Sequence, residues 1–547
     1  MRILKRLSAL LLSFAVLFGL VSGLNALMNP GWQVEPYKDH IRPATADTAI
    51  ASNRGATTPE GHYQTKETWV SVKLAPEVSI QAIVREPVGA PAGHPACLFI
   101  HGAGTGKAAD VYGDLASALA SAGITTLVPD KRLDTYTTFH RDYADMAADY
   151  GKSLDILRSW PGVDSAKTGL YAESEGTWIS SIMTAQDPTL AYSILTSPPV
   201  YPGRSQMSMA VSSYLDLIGA PAGIQAQIPK LMGMNFSPLG LEYADFNTLP
   251  NWDKLTQPTL INFGTSDDSM PVEQGAQEIT RRAAKAGNTN VTLRYYPANH
   301  QMRMGSLLAK AGLPLEPHYT HNLEDWINAI SLGTKSNEWA TPMIAGVQPR
   351  QLFTAPRTTH HGLIGSVGAL IAVLVASFVL PALALVGALF LVIAGSSRRR
   401  RSTSNTPAFG PKIVGLLWAG SLASLASLGI SLAYIGVTAT HALQLEPLTA
   451  NMIRGWTELK LLALLVLVVL AFLPARALHN RMAAKRSGDQ PNSYTIMACH
   501  ARKLPAQSAT PRPAIAQGWG HWMVLILALA GIVCCLVSLS FWGLFAW

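Results

Sequence analysis

A serine hydroxyl is a poor nucleophile until a neighbouring histidine takes its proton and an acid orients that histidine. Three stretches of this chain supply such groups, in the order serine, aspartate, histidine. The first is TGLYAESEGTW, Thr168–Trp178. Thr168 to Ala172 reads as a short buried strand, and Thr177-Trp178-Ile179 opens a helix. Between them Glu173-Ser174-Glu175-Gly176 turns sharply. A strand, a tight turn carrying serine and a following helix lift the hydroxyl above the sheet edge. Small residues must flank the turn so that strand and helix can approach, and Ala172 and Gly176 do so. Alone the motif is a weak signal, because serine beside glycine in a turn is common.

The second stretch, FGTSDDSMP, places Asp267 in the loop after a predicted strand, with Asp268 as its rival for the acid. The third, YYPANHQM, places His300 in the loop after the last predicted strand. Both loops leave the carboxyl end of a parallel sheet, the side on which the serine turn sits. Upstream, a strand ends in His101-Gly102-Ala103-Gly104-Thr105-Gly106. Glycines there let backbone amides approach a substrate, so the amides of Ala103 and Glu175 are expected to form an oxyanion hole. Glu173 and Glu175 could pass for a carboxylate pair, but Glu175 is read as an acid favoured at a helix N-terminus. Asp130, Lys131 and Arg132 read as structural ion pairs. His318 with His321, and His360 with His361, lack carboxylates at metal-ligand spacing, so no metal and no cofactor are expected.

Residues 67–333 must position these groups. ETWVSVKL and VSIQAIVRE form an expected antiparallel pair. Strands follow at 96–101, 124–129, 168–173, 192–197, 259–264 and 291–296, with helical patterns such as Tyr112–Ser121, Tyr143–Ser159 and Val272–Ala286 between them. Continuous apolar strands separated by helices imply a mostly parallel sheet covered on both faces. The fold expected is an eight-stranded α/β hydrolase. Pro198–Gln257 is too long for a simple connection. About residues 201–250 read as a helical lid, with Met207, Met209, Met232 and Met234 as core or as an acyl groove. Residues 31–66 and 334–360 read as polar linkers that tether this domain.

The chain has 547 residues, 48% hydrophobic and 14% charged, with a formal charge of +8. The apolar excess is local. Residues 1–30 carry Arg2, Lys5 and Arg6 before LSALLLSFAVLFGLVSGL, read as an uncleaved signal anchor rather than a cleaved signal peptide. Residues 361–547 hold four more expected spans, at Leu363–Ala394, Ile413–Val437, roughly Leu459–Leu473 and Trp522–Trp547. Pro381 leaves open a pair of re-entrant halves in the first of these. Arg398–Arg401 and the basic 476–512 loop sit inside by the positive-inside rule, which puts residues 67–333 outside the cytoplasmic membrane. The basic residues flank apolar runs, so nucleic-acid binding is not expected. Ala419, Ala423, Ser427 and Ser431 recur every fourth residue and suit close helix packing. No Asp or Glu lies mid-span, and Lys460 is near an end, which argues against a transporter. Of the four cysteines, the domain at 67–333 holds Cys97 alone, so it forms no internal disulfide.

HGAG at 101–104, DKR at 130–132, AESEG at 172–176 and GTSDDSMP together resemble the α/β-hydrolase serine esterases and acyl peptidases. That group includes the dienelactone-hydrolase-like and serine-aminopeptidase-like branches. The resemblance covers residues 67–333 and departs from the family at Ala172, Glu173, Leu133 and Thr177. It places Asp267 at the family's acid position. The expected protein is a multi-pass membrane serine hydrolase with Ser174, Asp267 and His300 as its triad. Its expected partners are the bilayer and a small or lipid-like acyl substrate. Acyl transfer to an alcohol, acyl or aminopeptidase activity, and a non-catalytic membrane scaffold or sensor are the rivals.

Overall fold

The computed structural model describes residues 2–104, 106–308, 310, 312–399, 409–488, 515–516 and 518–547. In chain order its elements are α1 (Arg2–Met28), β1 (Thr65–Ala75), β2 (Val78–Pro87), β3 (His94–Ile100), α2 (Gly113–Ser121), β4 (Thr125–Pro129) and α3 (Tyr143–Arg158). Next come β5 (Val163–Glu173), α4 (Gly176–Gln186), β6 (Ser193–Thr196), α5 (Gly203–Leu217), α6 (Ala222–Gln225), α7 (Ile228–Met232) and α8 (Leu249–Trp252). Then follow β7 (Thr259–Gly264), α9 (Gln274–Lys285), β8 (Val291–Tyr296), α10 (Tyr319–Ser331) and β9 (Ile344–Gly346). The chain closes with α11 (Val367–Arg399), α12 (Ile413–Gln444), α13 (Ala450–Gly488) and α14 (Trp519–Phe541). Two compact units result. A sheet unit comprises Trp32–Leu217 and Phe236–Thr359, and a helical unit comprises Met1–Gly31, Ile218–Asn235 and His360–Trp547.

The sheet runs in the order β1-β2-β4-β3-β5-β6-β7-β8-β9. β2 pairs antiparallel with β1 and β4, and the remaining neighbours are parallel. This is the α/β-hydrolase order with one strand added at the edge. Alternation along β3 and β5 sends Cys97, Phe99 and Tyr171 to one face, against Leu119 of α2 and Trp326 of α10. It sends Leu98, Ile100, Leu170 and Ala172 to the other face, against Leu154 of α3 and Ile179 of α4. Both faces are covered, which is why these strands read as unbroken apolar runs.

The tether expectation fails. Residues 31–66 and 334–360 lie against each other and close the sheet edge: Tyr37 N–H donates to Leu352 O (2.9 Å), Ala44 N–H to Ile344 O (3.0 Å) and Asn53 N–H to Glu338 O (2.8 Å). Ile344–Gly346 becomes β9, so the sheet has nine strands and not eight. Arg294 on β8 is fully buried and donates to Thr48 O (2.9 Å), Ala49 O (3.2 Å) and Met343 O (3.3 Å). Partners this remote satisfy the polar backbone of both segments, and no local pattern reports them.

Among the described residues of the helical unit, five helices are long and apolar enough to cross a membrane: Leu7–Met28, Val367–Ile393, Ile413–Gln444, Ala450–Met482 and Trp519–Phe541. Pro381 lies inside one continuous helix, so the re-entrant pair is not formed. The expected Leu459–Leu473 span is the middle of a much longer helix, α13. Lys460 therefore lies well inside this helix and not at its end, and its Nζ sits 4.5 Å from the Trp547 ring centroid. On α12 the buried face is Gly420, Ser424, Ser427 and Ser431, while Ala419 is exposed. A strict four-residue step drifts around a 3.6-residue helix, so Ala419 and Ser431 cannot share one face. Arg400, Arg401 and most of the 476–512 loop, with Cys499, lie outside the described residues.

The expected lid divides. Helix α5 and residues 236–252 belong to the sheet unit, whereas 218–235 belong to the helical unit. There, Lys230 Nζ donates to Phe541 O (2.8 Å) and Asn25 Oδ1 (3.2 Å), Asn235 N–H to Gly365 O (2.9 Å), and Leu448 N–H to Ile218 O (2.9 Å). The end of α1, the start of α11, the α12–α13 turn and the end of α14 thus meet at one end of the bundle. Met209 packs in the sheet core with Leu195 and Trp252, and Met234 packs with Met28, Leu370 and Phe541 in the helical unit.

Candidate active site

Ser174 stands where β5 ends and α4 begins, in the left-handed region at φ 53°. This backbone is strained for a residue with a Cβ. It is held by Ser174 N–H donating to Thr196 O (2.9 Å) and by Thr177, whose N–H (2.9 Å) and Oγ1 (2.8 Å) both donate to Ser174 O. Gly176 permits the turn: a Cβ there would lie 2.6 Å from Ile100 O and 2.8 Å from His101 O. From Thr168 through Ser181 every residue is buried except Ser174. The fold hides the whole elbow and leaves one serine accessible.

The other two loops meet through Gly264, at the end of β7. A Cβ there would sit 2.3 Å from both Ala298 O and Asn299 O. This closeness sets Asp267 beside His300, with His300 Nδ1 2.7 Å from Asp267 Oδ2. Asp267 Oδ1 accepts from Ser269 N–H (3.0 Å) and Ser269 Oγ (2.6 Å), and Ser197 Oγ holds His300 O at 2.8 Å. Burial would raise the Asp267 carboxyl, but the His300 charge and these hydrogen bonds outweigh it and lower it. Burial would likewise depress His300, but Asp267 outweighs it and raises the imidazole above its ordinary value. Asp268, the rival acid, is pushed up to about 6 by burial and by Asp267. Among the described residues Ser174 Oγ makes no hydrogen bond to His300. The structure therefore brings together the expected acid Asp267 and the expected base His300, without a hydrogen bond from Ser174 to either.

Ala103 is exposed, next to Gly102, whose Cα abuts Ser174: a Cβ on Gly102 would lie 3.2 Å from Ser174 Cβ. His101 is fully buried with Nε2 2.6 Å from Pro129 O, and burial pulls its imidazole down to about 4, so it stays neutral. Glu173 is buried and pushed up to about 7 by burial, against the pull of His300. The expectation that Glu175 answers only to a helix N-terminus is too small. Its carboxylate accepts from Tyr136 Oη (2.7 Å), Tyr143 Oη (2.8 Å) and Arg141 Nη1, with Lys131 Nζ 3.6 Å away. Sequence reading missed Tyr136, Arg141 and Tyr143; their one signal was the density of Tyr and Arg at 136–143.

His321 does acquire carboxylates that its spacing had not indicated. Its Nδ1 lies 3.1 Å from Glu324 Oε1 and 3.6 Å from Glu60 Oε2. The ion pair accounts for this cluster, although its three ligand atoms lie close enough to hold a metal ion. A surface cleft of about 560 Å³, lined by Lys167, Asn288, Asn290 and Thr334, opens at the amino ends of the strands. Parallel sheets bind ligands at the carboxyl ends, so the chemistry is not there.

No family model matches the sequence, and no curated protein does. Among solved structures, the chain is similar to a Pyrococcus furiosus esterase at 16% identity, covering 49% of this chain and 91% of that one at a TM-score of 0.31. It is similar to a cold-adapted esterase from an Arctic intertidal metagenomic library at 15% identity, covering 49% and 97% at a TM-score of 0.31. It is similar to Porphyromonas gingivalis dipeptidyl peptidase 4 at 15% identity, covering 48% of this chain and 35% of that one at a TM-score of 0.34. These likenesses are too distant to assign a role to any residue, so the functional argument rests on the site itself.

Proposed function

We propose that the protein is a membrane-anchored serine hydrolase that cleaves acyl esters through an acyl-Ser174 intermediate. The accessible Ser174 at a buried, left-handed elbow carries this reading. The Asp267–His300 couple supports it. His300 Nδ1–H donates to Asp267, which sets the tautomer and leaves Nε2 to act as base. Substrate binding closes the gap between Ser174 Oγ and His300 Nε2, as apo sites often require. Nε2 takes the hydroxyl proton while Oγ attacks the ester carbonyl. The N–H groups of Ala103 and Glu175 donate to the oxyanion. The imidazolium then protonates the leaving alcohol. Water, deprotonated by His300, releases the acid and restores Ser174.

Helices long and apolar enough to span a membrane, with the basic N-terminus, support an extracytoplasmic sheet unit. An acyl ester in or near the bilayer is then the substrate class at highest local concentration. A fluorophosphonate probe applied to membranes tests the chemistry. It should label the full chain but not Ser174→Ala or His300→Ala, and equal labelling of Ser174→Ala overturns the assignment. A thiol reagent that cannot cross membranes tests the side. Glu446→Cys should react in intact cells, and Asn405→Cys only after lysis.

A further inference from the structure

Lys131, two residues beyond the end of β4, is buried, with 1% of its side chain exposed. Like Asp130 and Arg132 it forms the ion pair that the sequence implies. Asp130 is held by Lys107 Nζ (2.8 Å) and Ala108 N–H (2.9 Å). Lys131 Nζ turns the other way, 2.5 Å from Gly102 O, 3.6 Å from Glu175 Oε2 and 4.4 Å from the Tyr136 ring centroid. Its own N–H donates to Gly106 O (2.8 Å), so its main chain also grips the 101–106 loop.

The Gly102–Ala103 peptide is planar and trans, so its C=O and N–H point to opposite edges. An ammonium that fixes Gly102 O therefore fixes the direction of Ala103 N–H. The same ammonium faces the carboxylate of Glu175, whose backbone N–H is the other proposed donor. Lys131 and Arg141 bring two cations to the one carboxylate of Glu175. These three groups keep a net positive charge beside the place where an oxyanion would form.

We propose that Lys131 is a positioning residue for the oxyanion hole, its ammonium clamping the Gly102–Ala103 peptide to the Glu175 side chain so that both backbone donors keep one geometry. This rests on the reading of Ser174 as nucleophile. A charge is used because a hydrogen bond from an ammonium holds a carbonyl more firmly than a neutral donor does. It also polarises the peptide and strengthens Ala103 N–H as a donor.

The test uses the full chain in detergent, with a short p-nitrophenyl ester and a phenylboronic acid that forms a tetrahedral adduct. Lys131→Met should lower kcat per titrated active site by roughly 10–100-fold, less than loss of a whole donor, with KM within about 2-fold. It should weaken the boronic acid by a similar factor. Burial pulls the Lys131 ammonium down to about 8, so wild-type kcat should fall above that pH while Lys131→Gln shows no such limb. A lysine that only stabilises the fold would lower the melting temperature and the active fraction, leaving kcat per site and boronate affinity unchanged. That result overturns the proposal. Turnover that depends on Ser174 but survives Lys131→Met at full kcat overturns it alone. Undiminished turnover in Ser174→Ala overturns the hydrolase reading and this inference with it.

Discussion

His300 Nδ1 lies 2.7 Å from Asp267 Oδ2 although the residues stand 33 positions apart on separate loops. The contact exists because the main chains of those loops touch. Ser266 N–H donates to Ala298 O (3.0 Å) and Thr265 N–H to Tyr296 O (2.8 Å). The pair is thus held by backbone as well as by charge, and His300 meets Asp267 rather than the adjacent Asp268.

Asp267→Asn should lower kcat by roughly 10⁴-fold, because an amide favours the wrong imidazole tautomer. Asp268→Asn should keep most activity. Ester turnover by both purified variants checks this. The reverse pattern would move the acid by one residue.

The acid limb of kcat/KM should fall at a pH above about 6.5, the ordinary histidine value. The base works only as free imidazole, and Asp267 raises its affinity for a proton above the ordinary value. Activity is therefore lost as pH falls through that raised value. A pH–rate profile between pH 5 and 8 measures it, and a limb at or below the ordinary value counts against the couple.

Gly264→Ala should cost roughly 1–3 kcal/mol, because a new methyl would press on two carbonyl oxygens that cannot retreat. It should also part Asp267 from His300, so activity should drop further than stability alone explains. Thermal unfolding and kcat on the folded fraction separate the two effects.

Arg294→Met should destabilise the sheet unit by at least about 2 kcal/mol, since buried carbonyls lose a charged donor. It should also open residues 45–63 to protease, whereas the wild type should resist cleavage there. Rapid wild-type cleavage would restore the tether that the sequence implied.

Met209→Ser should cost roughly 2–4 kcal/mol, placing a hydroxyl and a cavity among Leu195, Trp252 and Phe263. Met207→Ser should stay within about 0.5 kcal/mol, because that side chain is half exposed. Denaturant titration of both variants decides whether these methionines are core or substrate lining.

The sequence by itself determined the α/β-hydrolase sheet, the elbow at Ser174 and the five apolar helices. Each is a local pattern: an unbroken apolar strand, a small-residue turn, a run long enough to cross a bilayer. It also narrowed the acid to Asp267 or Asp268. Only the tertiary structure decided which of those two His300 contacts, because that depends on which carboxylate the His300 loop reaches. It also turned both supposed tethers into the ninth strand and its cover, split the supposed lid between two units, and aimed Lys131 at Gly102. Those outcomes depend on hydrogen bonds between residues tens to hundreds of positions apart. A chain read one window at a time shows a polar, proline-rich segment as a linker, because the groups that satisfy it lie outside the window.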